Sequence, residues 1–229
     1  MQVGAIVAAA GSGSRLGRGS KALVRLNGRT TLARVLELFL ALDEVDRIVV
    51  VAPASRLESA QREVSSLAPR KPVIVHAGGE SRQESVRNGL GVLGECDYVL
   101  VHDAARPLAT ATLVRRVLAA AMESGAAFPA LAPRDAVKRV EGNRLVESLD
   151  RTRIVLAQTP QAFAYELLMR AHREAADAGL VGDDDAQLVA ATGHAVTVVE
   201  GEPANIKLTT PEDFGVVEAL IKEQEAVTR

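Results

Sequence analysis

The chain has 229 residues, of which 48% are hydrophobic and 24% are charged, and its formal net charge is -2. This balance is typical of a globular protein with a full core, and it excludes the basic surface of a protein that binds polymeric nucleic acid. Cys96 is the only cysteine, which excludes internal disulfides, and no apolar stretch reaches the roughly 20 residues of a membrane span, so we expect a cytoplasmic protein without a membrane partner.

Runs rich in β-branched residues alternate along the chain with amphipathic helical patterns. We predict strands at Val3–Ala9, Arg47–Ala52, Val73–His76, Tyr98–His102, Ala126–Leu131, Ile154–Ala157 and Val196–Glu200. We predict helices at Thr31–Leu42, Arg56–Leu67, Ser81–Leu93, Ala111–Ser124 and Tyr165–Ala178, and a last helix after Thr210-Pro211. This alternation indicates an α/β fold with a mostly parallel, Rossmann-like sheet flanked by helices.

One segment, Pro133–Arg153, interrupts the alternation. Two strand-like runs, Val137–Val140 and Leu145–Leu149, flank the turn Glu141-Gly142-Asn143, which predicts a β-hairpin. Because an exposed two-stranded hairpin is barely stable alone, we expect this arm to dock on a second subunit. We find no repeat or low-complexity linker, so we predict one domain over residues 1–229, with a dimerisation arm at about 133–153.

A Gly-rich segment follows the first predicted strand and carries positive charge. It reads Ala8-Ala9-Ala10, then Gly11-x-Gly13-x-x-x-Gly17, with Arg15 inside it and Lys21 shortly after. Glycines let backbone N–H groups approach a phosphate closely, and the two cations can neutralise the charge that develops when a triphosphate is split. The spacing is neither that of a P-loop nor that of the dinucleotide fingerprint. We favour nucleotide phosphate binding over the alternative of an ordinary strand-to-loop turn.

The strand Tyr98–His102 is followed directly by Asp103. Open α/β sheets place their ligand crevice at the carboxyl ends of strands, where a carboxylate can hold Mg²⁺ against phosphate oxygens. The alternatives are that Asp103 caps the next helix or pairs internally with Arg106. We expect His102 to be a structural residue at the strand end.

Three further groups of polar residues are candidates. Gly78-Gly79 precedes a predicted helix on which Arg82 and Ser85 share one turn, and this pair can read a base edge or a ribose. Ser81 and Glu84 also fit a capping box, which is a purely structural account. Asp150-Arg151 and Lys207 add cations far apart in the sequence, and their alternative is a solvated surface charge.

Taken together, these motifs resemble those of the 2-C-methyl-D-erythritol 4-phosphate cytidylyltransferases. They are Ala-Ala-Gly-x-Gly-x-Arg, Gly-Gly-x-x-Arg-x-x-Ser-Val, Val-His-Asp-Ala-Ala-Arg-Pro, Thr-Pro-Gln and Asn-Ile-Lys-Leu-Thr, in the family's order from residue 5 to about 214. The resemblance implies a nucleotide-diphospho-sugar transferase-like fold and transfer of CMP from CTP to the phosphate of methylerythritol phosphate, with release of pyrophosphate. It also implies a divalent cation such as Mg²⁺ and a homodimer in which the arm crosses to the partner.

The resemblance also implies roles for individual residues. Arg15 and Lys21 match the cations that stabilise the transition state, and Arg151 and Lys207 match those that grip the substrate phosphate. Asp103 matches the metal-associated Asp. The candidate nucleotide-binding residues are Ala9, Ala10, Gly11, Gly13, Gly79, Glu80, Arg82, Ser85, Asp103 and Ala104. The chain departs from the family's pattern at Ala136, where a substrate-contacting Thr is usual.

Three alternative functions stay open from the sequence. A cytidylyltransferase for another polyol phosphate, such as ribitol 5-phosphate, has a similar motif set, and only the acceptor distinguishes it. A non-catalytic nucleotide-binding regulator is less favoured, because a sensor need not keep Arg15 and Lys21 together with Asp103. A dinucleotide-dependent dehydrogenase is disfavoured by the glycine spacing.

Overall fold

The structure is a computed structural model and describes residues 1–10 and 21–227. Its strands are β1 (Val3–Ala8), β2 (Arg25–Leu26), β3 (Arg29–Thr30), β4 (Arg47–Ala52), β5 (Val73–Ala77), β6 (Tyr98–Asp103), β7 (Ala126–Leu131), β8 (Lys138–Glu141), β9 (Arg144–Ser148), β10 (Leu156–Ala157), β11 (Gln161–Ala164) and β12 (Thr197–Glu200). Its helices are α1 (Thr31–Ala41), α2 (Leu57–Ser66), α3 (Arg82–Leu93), α4 (Ala111–Ser124), α5 (Tyr165–Asp177), α6 (Asp185–Ala191) and α7 (Glu212–Val227).

The main sheet has the strand order β10-β7-β11-β6-β1-β4-β5, and β12 pairs with β7. Strands β6, β1, β4 and β5 are mutually parallel, whereas β11 runs antiparallel between β6 and β7. The register places Ala8 beside Asp103, and Ala52 beside Ala77. The carboxyl ends of these four parallel strands therefore meet at one edge of the sheet.

The core lies on both faces of the sheet because successive strand residues point to opposite sides. On β1, Val7 packs in a cluster with residues of α1, α2 and α4, whereas Ile6 packs with residues of α3, α5 and α6. Each fully buried aliphatic or Phe side chain contributes about 1.5–3 kcal/mol. The packed helices thereby hold the strand ends, and the loops that follow them, in fixed positions.

The α/β fold with a mostly parallel sheet is confirmed, and most predicted elements occur within a residue or two of their expected bounds. The strand predicted at Ile154–Ala157 is wrong in its first half, because only Leu156 and Ala157 pair with β7. Four elements were not predicted: β2, β3, β11 and α6. Strands β2 and β3 have two residues each, and β11 and α6 are short and rich in alanine, so all four carry little strand or helix periodicity.

The predicted hairpin is confirmed as β8 and β9, which form a separate two-stranded sheet. Gly142 adopts φ +59° in the connecting turn, a conformation that glycine reaches without strain. Both strands are exposed along their whole length, including Val140 at 57% and Leu145 at 64%. Among residues 1–10 and 21–227, we find no helix with the length and apolar character needed to cross a membrane.

Candidate functional site

The chain segments after β1 and β5 touch each other. A Cβ atom added to Gly78 would lie 2.6 Å from the Cβ of Ala10 and 2.7 Å from Oγ of Ser85, so a side chain at position 78 has no room. The N–H of Ala9 donates to the carbonyl of Val51 at 2.8 Å, which extends the pairing of β1 beyond its last strand residue. The structure thus brings the predicted residues Ala9 and Ala10 close to the predicted Gly-Gly turn.

The turn from β5 into α3 is shaped by side-chain hydrogen bonds. The buried Ser85 hydroxyl accepts from the N–H of Gly79 at 3.0 Å and donates to the carbonyl of Ser81 at 2.8 Å. Ser81 caps α3 by accepting from the N–H of Glu84, and the Glu84 carboxylate accepts from the N–H of Glu80 rather than from that of Ser81. The structural account of Ser81 is therefore confirmed, and Ser85 holds Gly79 in place.

Asp103 ends β6 and is buried between two cations. Its Oδ1 accepts from Nε of Arg82 at 2.9 Å, and its Oδ2 lies 2.7 Å from Nζ of Lys207. Burial alone would raise the pKa of this carboxyl, but the charges of Arg82 and Lys207 outweigh burial and hold it well below its usual range. The alternative of a helix cap is wrong, because Thr110 caps α4. Arg106 donates instead to the carbonyls of Asn205 and Ala157.

Arg82 also contacts a second carboxylate that sequence reasoning missed. Its Nη1 donates to Oδ2 of Asp185 at 2.7 Å, and Nε2 of His172 lies 2.9 Å from Oδ1 of the same residue. Burial would raise the pKa of Asp185, but Arg82 and His172 lower it. The sequence signal is the run Asp183-Asp184-Asp185, in which acidic residues are also typical of a helix start. Asp184 does cap α6, whereas Asp185 is fully buried.

His102 is a buried structural residue, as predicted. Its Nε2 lies 3.0 Å from the carbonyl of Arg106 and its Nδ1 lies 3.1 Å from Oγ1 of Thr159. The same Oγ1 accepts from the N–H of Asp103 at 3.1 Å. Burial lowers the pKa of His102 to about 4, so the ring is neutral near pH 7. His102 and Thr159 together fix the backbone of the strand end that carries Asp103.

The loop that carries Lys207 is anchored on both sides. The buried Asn205 side chain donates to the carbonyl of Thr159 at 2.8 Å, and the backbone carbonyl of Asn205 accepts from Arg106. On the other side, the N–H of Leu208 donates to the carbonyl of Ala105 at 2.9 Å. The Lys207 side chain is 40% exposed, although the backbone of the loop that carries it is fixed. In the sequence, Thr159 begins the motif Thr-Pro-Gln and Asn205 begins the motif Asn-Ile-Lys-Leu-Thr.

The remaining predicted site residues have fewer described contacts or lie outside the described part of the chain. Ala104 is buried beside β1, and its N–H donates to the carbonyl of Ala8 at 3.0 Å. Arg151 lies exposed at the base of the arm and donates to the carbonyl of Arg134, and within the described residues no hydrogen bond or ion pair joins it to the others. Lys21 begins the short helical turn Lys21–Leu23, and its side chain lies outside the described part of the chain. So do the three predicted loop residues Gly11, Gly13 and Arg15.

The site offers one carboxylate to a metal ion. In the part of the chain that the structure describes, no three His, Cys, Asp or Glu side chains are grouped to hold a metal. A carboxylate has about four lone-pair positions, and Arg82 and Lys207 take one on each oxygen of Asp103. Mg²⁺ usually takes only one or two protein carboxylates and completes its shell with phosphates and water, so Asp103 fits it.

The chain is similar to known proteins in both sequence and fold. The family model described as 2-C-methyl-D-erythritol 4-phosphate cytidylyltransferase (IspD) matches residues 3–223. A curated protein of that name from Geobacillus thermodenitrificans is 39% identical over 222 residues, which cover 96% of this chain and 97% of the relative. A solved structure of that name from Thermus thermophilus is 36% identical, with TM-score 0.81, and covers 97% of this chain and 100% of its own. The solved structure of 4-diphosphocytidyl-2C-methyl-D-erythritolsynthase from Anaerococcus prevotii is 27% identical, with TM-score 0.85. The match covers 96% of this chain and 98% of that chain.

Proposed function

The chain belongs to the 2-C-methyl-D-erythritol 4-phosphate cytidylyltransferase family, and from this premise we propose how its residues perform the reaction. The enzyme transfers CMP from CTP to 2-C-methyl-D-erythritol 4-phosphate and releases pyrophosphate, in isoprenoid biosynthesis. One observation supports the assignment of roles most strongly. At a single sheet edge, closely packed backbone at Ala10 and Gly78 adjoins a carboxylate that holds two cations.

The cytidine lies against the segments after β1 and β5. Ala9, Ala10 and Gly79 present backbone at this edge, and Ser85 fixes the turn that carries Gly79. A small pyrimidine fits between backbone walls, whereas a larger purine would collide with them. Rejection of a base that leaves polar groups unpaired can reach several orders of magnitude. We therefore expect a strong preference for CTP over ATP.

The reaction needs cations more than a general base. A phosphate monoester is largely ionised near neutral pH, so it can attack the α-phosphorus directly while the enzyme positions two anions and neutralises their charge. Lys207 is the exposed cation at the described site, and it orients the acceptor phosphate together with Arg151. Arg15 and Lys21 neutralise the pentacoordinate phosphorus.

A divalent cation is part of this proposal. Asp103 would hold Mg²⁺ through the lone pairs that Arg82 and Lys207 leave open, with the other ligands coming from the triphosphate and water. The bound ion would add positive charge at the phosphates of CTP. If Asp103 is the ligand, Asp103→Asn lowers the affinity for Mg²⁺, measured by titration in the presence of CTP. An unchanged Mg²⁺ affinity would contradict this role.

We also propose a cytoplasmic homodimer in which the arm completes the partner's site. The arm is exposed along both strands and carries Val140 and Leu145 at its surface, which supports docking on another subunit. Mixing Arg151→Ala with Lys21→Ala tests it, because mixed dimers then contain one intact site. Activity should recover to about a quarter of the wild-type level if exchange is statistical. No recovery, with exchange verified by tagged subunits, would show that Arg151 acts within its own chain.

Pyrophosphate release tests the function as a whole. The protein is incubated with each of the four nucleoside triphosphates and Mg²⁺, against a panel of polyol phosphates. We expect release with CTP and 2-C-methyl-D-erythritol 4-phosphate. Preference for ribitol 5-phosphate would point to a related cytidylyltransferase, and equal turnover of ATP and CTP would contradict the proposed base site.

A further inference from the structure

An unbroken row of five charged or titratable side chains runs from the surface of this site into the interior. Its members, in order, are Lys207, Asp103, Arg82, Asp185 and His172. Neighbouring members are 2.7 to 2.9 Å apart. Side-chain exposure is 40% at Lys207, 8% at Asp103, 24% at Arg82, 0% at Asp185 and 2% at His172. The two innermost residues lie on α6 and α5, away from the substrate side of the row.

We propose that His172 and Asp185 are positioning residues for the transfer reaction, because they fix the guanidinium of Arg82 and, through it, the carboxylate of Asp103. This inference rests on the proposed function, in which Asp103 and Lys207 stand beside the phosphates. An Arg guanidinium is a rigid planar fork, so contacts at two of its nitrogens determine its orientation. Here Nε meets Asp103 and Nη1 meets Asp185. Without the second contact, the guanidinium can turn about Asp103.

His172 sets the orientation of the Asp185 carboxylate. Its Nε2 lies 2.9 Å from Oδ1, while Oδ2 receives Arg82, so each oxygen has its own partner. Because a carboxylate accepts, Nε2 carries the proton. The other ring nitrogen, Nδ1, is buried and has no partner in the described part of the chain, which makes the ring a single-point donor. Removing that one donor leaves a fully buried carboxylate short of a hydrogen bond, which can then rotate away from Arg82.

Two substitutions separate donation from packing. His172→Leu keeps an apolar side chain of moderate size without a donor, whereas His172→Gln places an amide N–H near the position of Nε2. His194→Leu is a matched control, because His194 contacts the carbonyl of Ser124 at the amino end of β7, opposite the site. All variants are compared by urea unfolding, so that activity is measured only where the protein is folded.

The experiment has a structural and a kinetic arm. In ¹H–¹⁵N spectra of the unliganded protein, the Nε–H signal of Arg82, assigned through its loss in Arg82→Lys, should persist in wild type and His172→Gln and broaden in His172→Leu. With CTP and 2-C-methyl-D-erythritol 4-phosphate, His172→Leu should lower kcat on the order of tenfold or more, since small misplacements near reacting groups are costly. His172→Gln should recover most of this loss, and His194→Leu should show none.

Each contrary outcome is decisive. An unchanged Arg82 signal in His172→Leu overturns the inference, as does unchanged kcat in that variant, or a His172→Gln variant as impaired as His172→Leu. If His172→Leu does not fold, the same two readouts are taken on Asp185→Asn, which retains the shape of the side chain and loses its charge. A wild-type protein inactive with this substrate pair would contradict the proposed function, while the spectra still decide whether His172 and Asp185 hold Arg82.

Discussion

Replacing Gly78 by alanine should weaken CTP binding through a purely steric effect. The added Cβ would lie 2.6 Å from the Cβ of Ala10 and 2.7 Å from Oγ of Ser85. Ordinary carbon contacts are about 3.5–4.0 Å, so the neighbours must move by about an ångström. Neither atom is the far end of a flexible side chain, because one is the Cβ of Ala10 and the other, Oγ of Ser85, is bonded directly to Cβ. The segments after β1 and β5 must therefore separate.

The size of the effect follows from the cost of overpacking. Extra methylene groups in packed sites typically cost about 1–3 kcal/mol, and 1.4 kcal/mol corresponds to a tenfold change in affinity. If this whole cost is lost from CTP binding, because the separated segments form the nucleotide site, the Kd for CTP should rise roughly 5- to 150-fold. Gly91→Ala on α3 is the matched control, because a Cβ there meets nothing within 4 Å. It should stabilise the helix by about 0.5–1 kcal/mol and leave CTP binding unchanged.

Calorimetric titration with CTP and urea unfolding measure the two consequences separately. We expect weaker CTP binding for Gly78→Ala, with or without a lower free energy of unfolding. This prediction is refuted if Gly78→Ala binds CTP with the wild-type Kd. It is also refuted if Gly91→Ala weakens binding to the same extent, because the loss would then not come from contact between the two segments.

Three further predictions concern catalysis, pH and helix capping. Lys21→Ala should lower kcat roughly 10²–10³-fold, by analogy with loss of an oxyanion-hole donor, and change the KM for CTP less; near-normal kcat would make Lys21 a surface charge. Burial lowers the pKa of His102 from 6.5 to about 4, so between these pH values the unfolded state binds more protons than the folded state. The free energy of unfolding should therefore fall by about 3 kcal/mol as the pH is lowered from 6.5 to 4. In urea unfolding, His102→Gln should lose most of this dependence of stability on pH. Ser81→Ala removes the N-cap of α3 and should cost about 1 kcal/mol, and Ser81→Gly less, as a shift in the urea midpoint.

Helices and strands can be predicted from the sequence where the residues of the segment itself determine its structure. The β-branched run Arg47–Ala52 is found with its predicted bounds, because a buried parallel strand suits such residues. In contrast, Gln161–Ala164 has no β-branched residue and becomes β11 through pairing with β6 on one side and β7 on the other. Likewise, α6 has only seven residues, and the Gln161 side chain accepts from the N–H of Ala186 at its start. Such elements are determined by tertiary contacts that no local pattern records.

The candidate site shows the same division. Ala10, Gly78 and Asp103 were predictable because each lies at or just after the end of a strand, and the carboxyl ends of parallel strands converge. The contacts of Arg82 were not predictable, since Arg82 is separated in sequence by 21 residues from Asp103 and by 103 residues from Asp185. A charge pattern in the sequence reveals pairs on one helix face, but it contains no information on contacts between separate elements.

The two cations at Asp103 differ in what an incoming phosphate can do to them. Arg82 is held by a second carboxylate that is fully buried, and withdrawing the guanidinium would leave Asp185 in the interior with only its contact to His172, which is strongly unfavourable. Lys207 has Asp103 as its one ion-pair partner in the described part of the chain, and its flexible side chain is 40% exposed. If the substrate phosphate binds Lys207 as proposed, it would compete with Asp103 for this cation at low cost, whereas Arg82 would remain in place. Accordingly, Lys207→Ala should raise the KM for the polyol phosphate while the protein keeps its stability, and Arg82→Ala should lower both stability and activity, because it leaves two buried carboxylates without their shared cation.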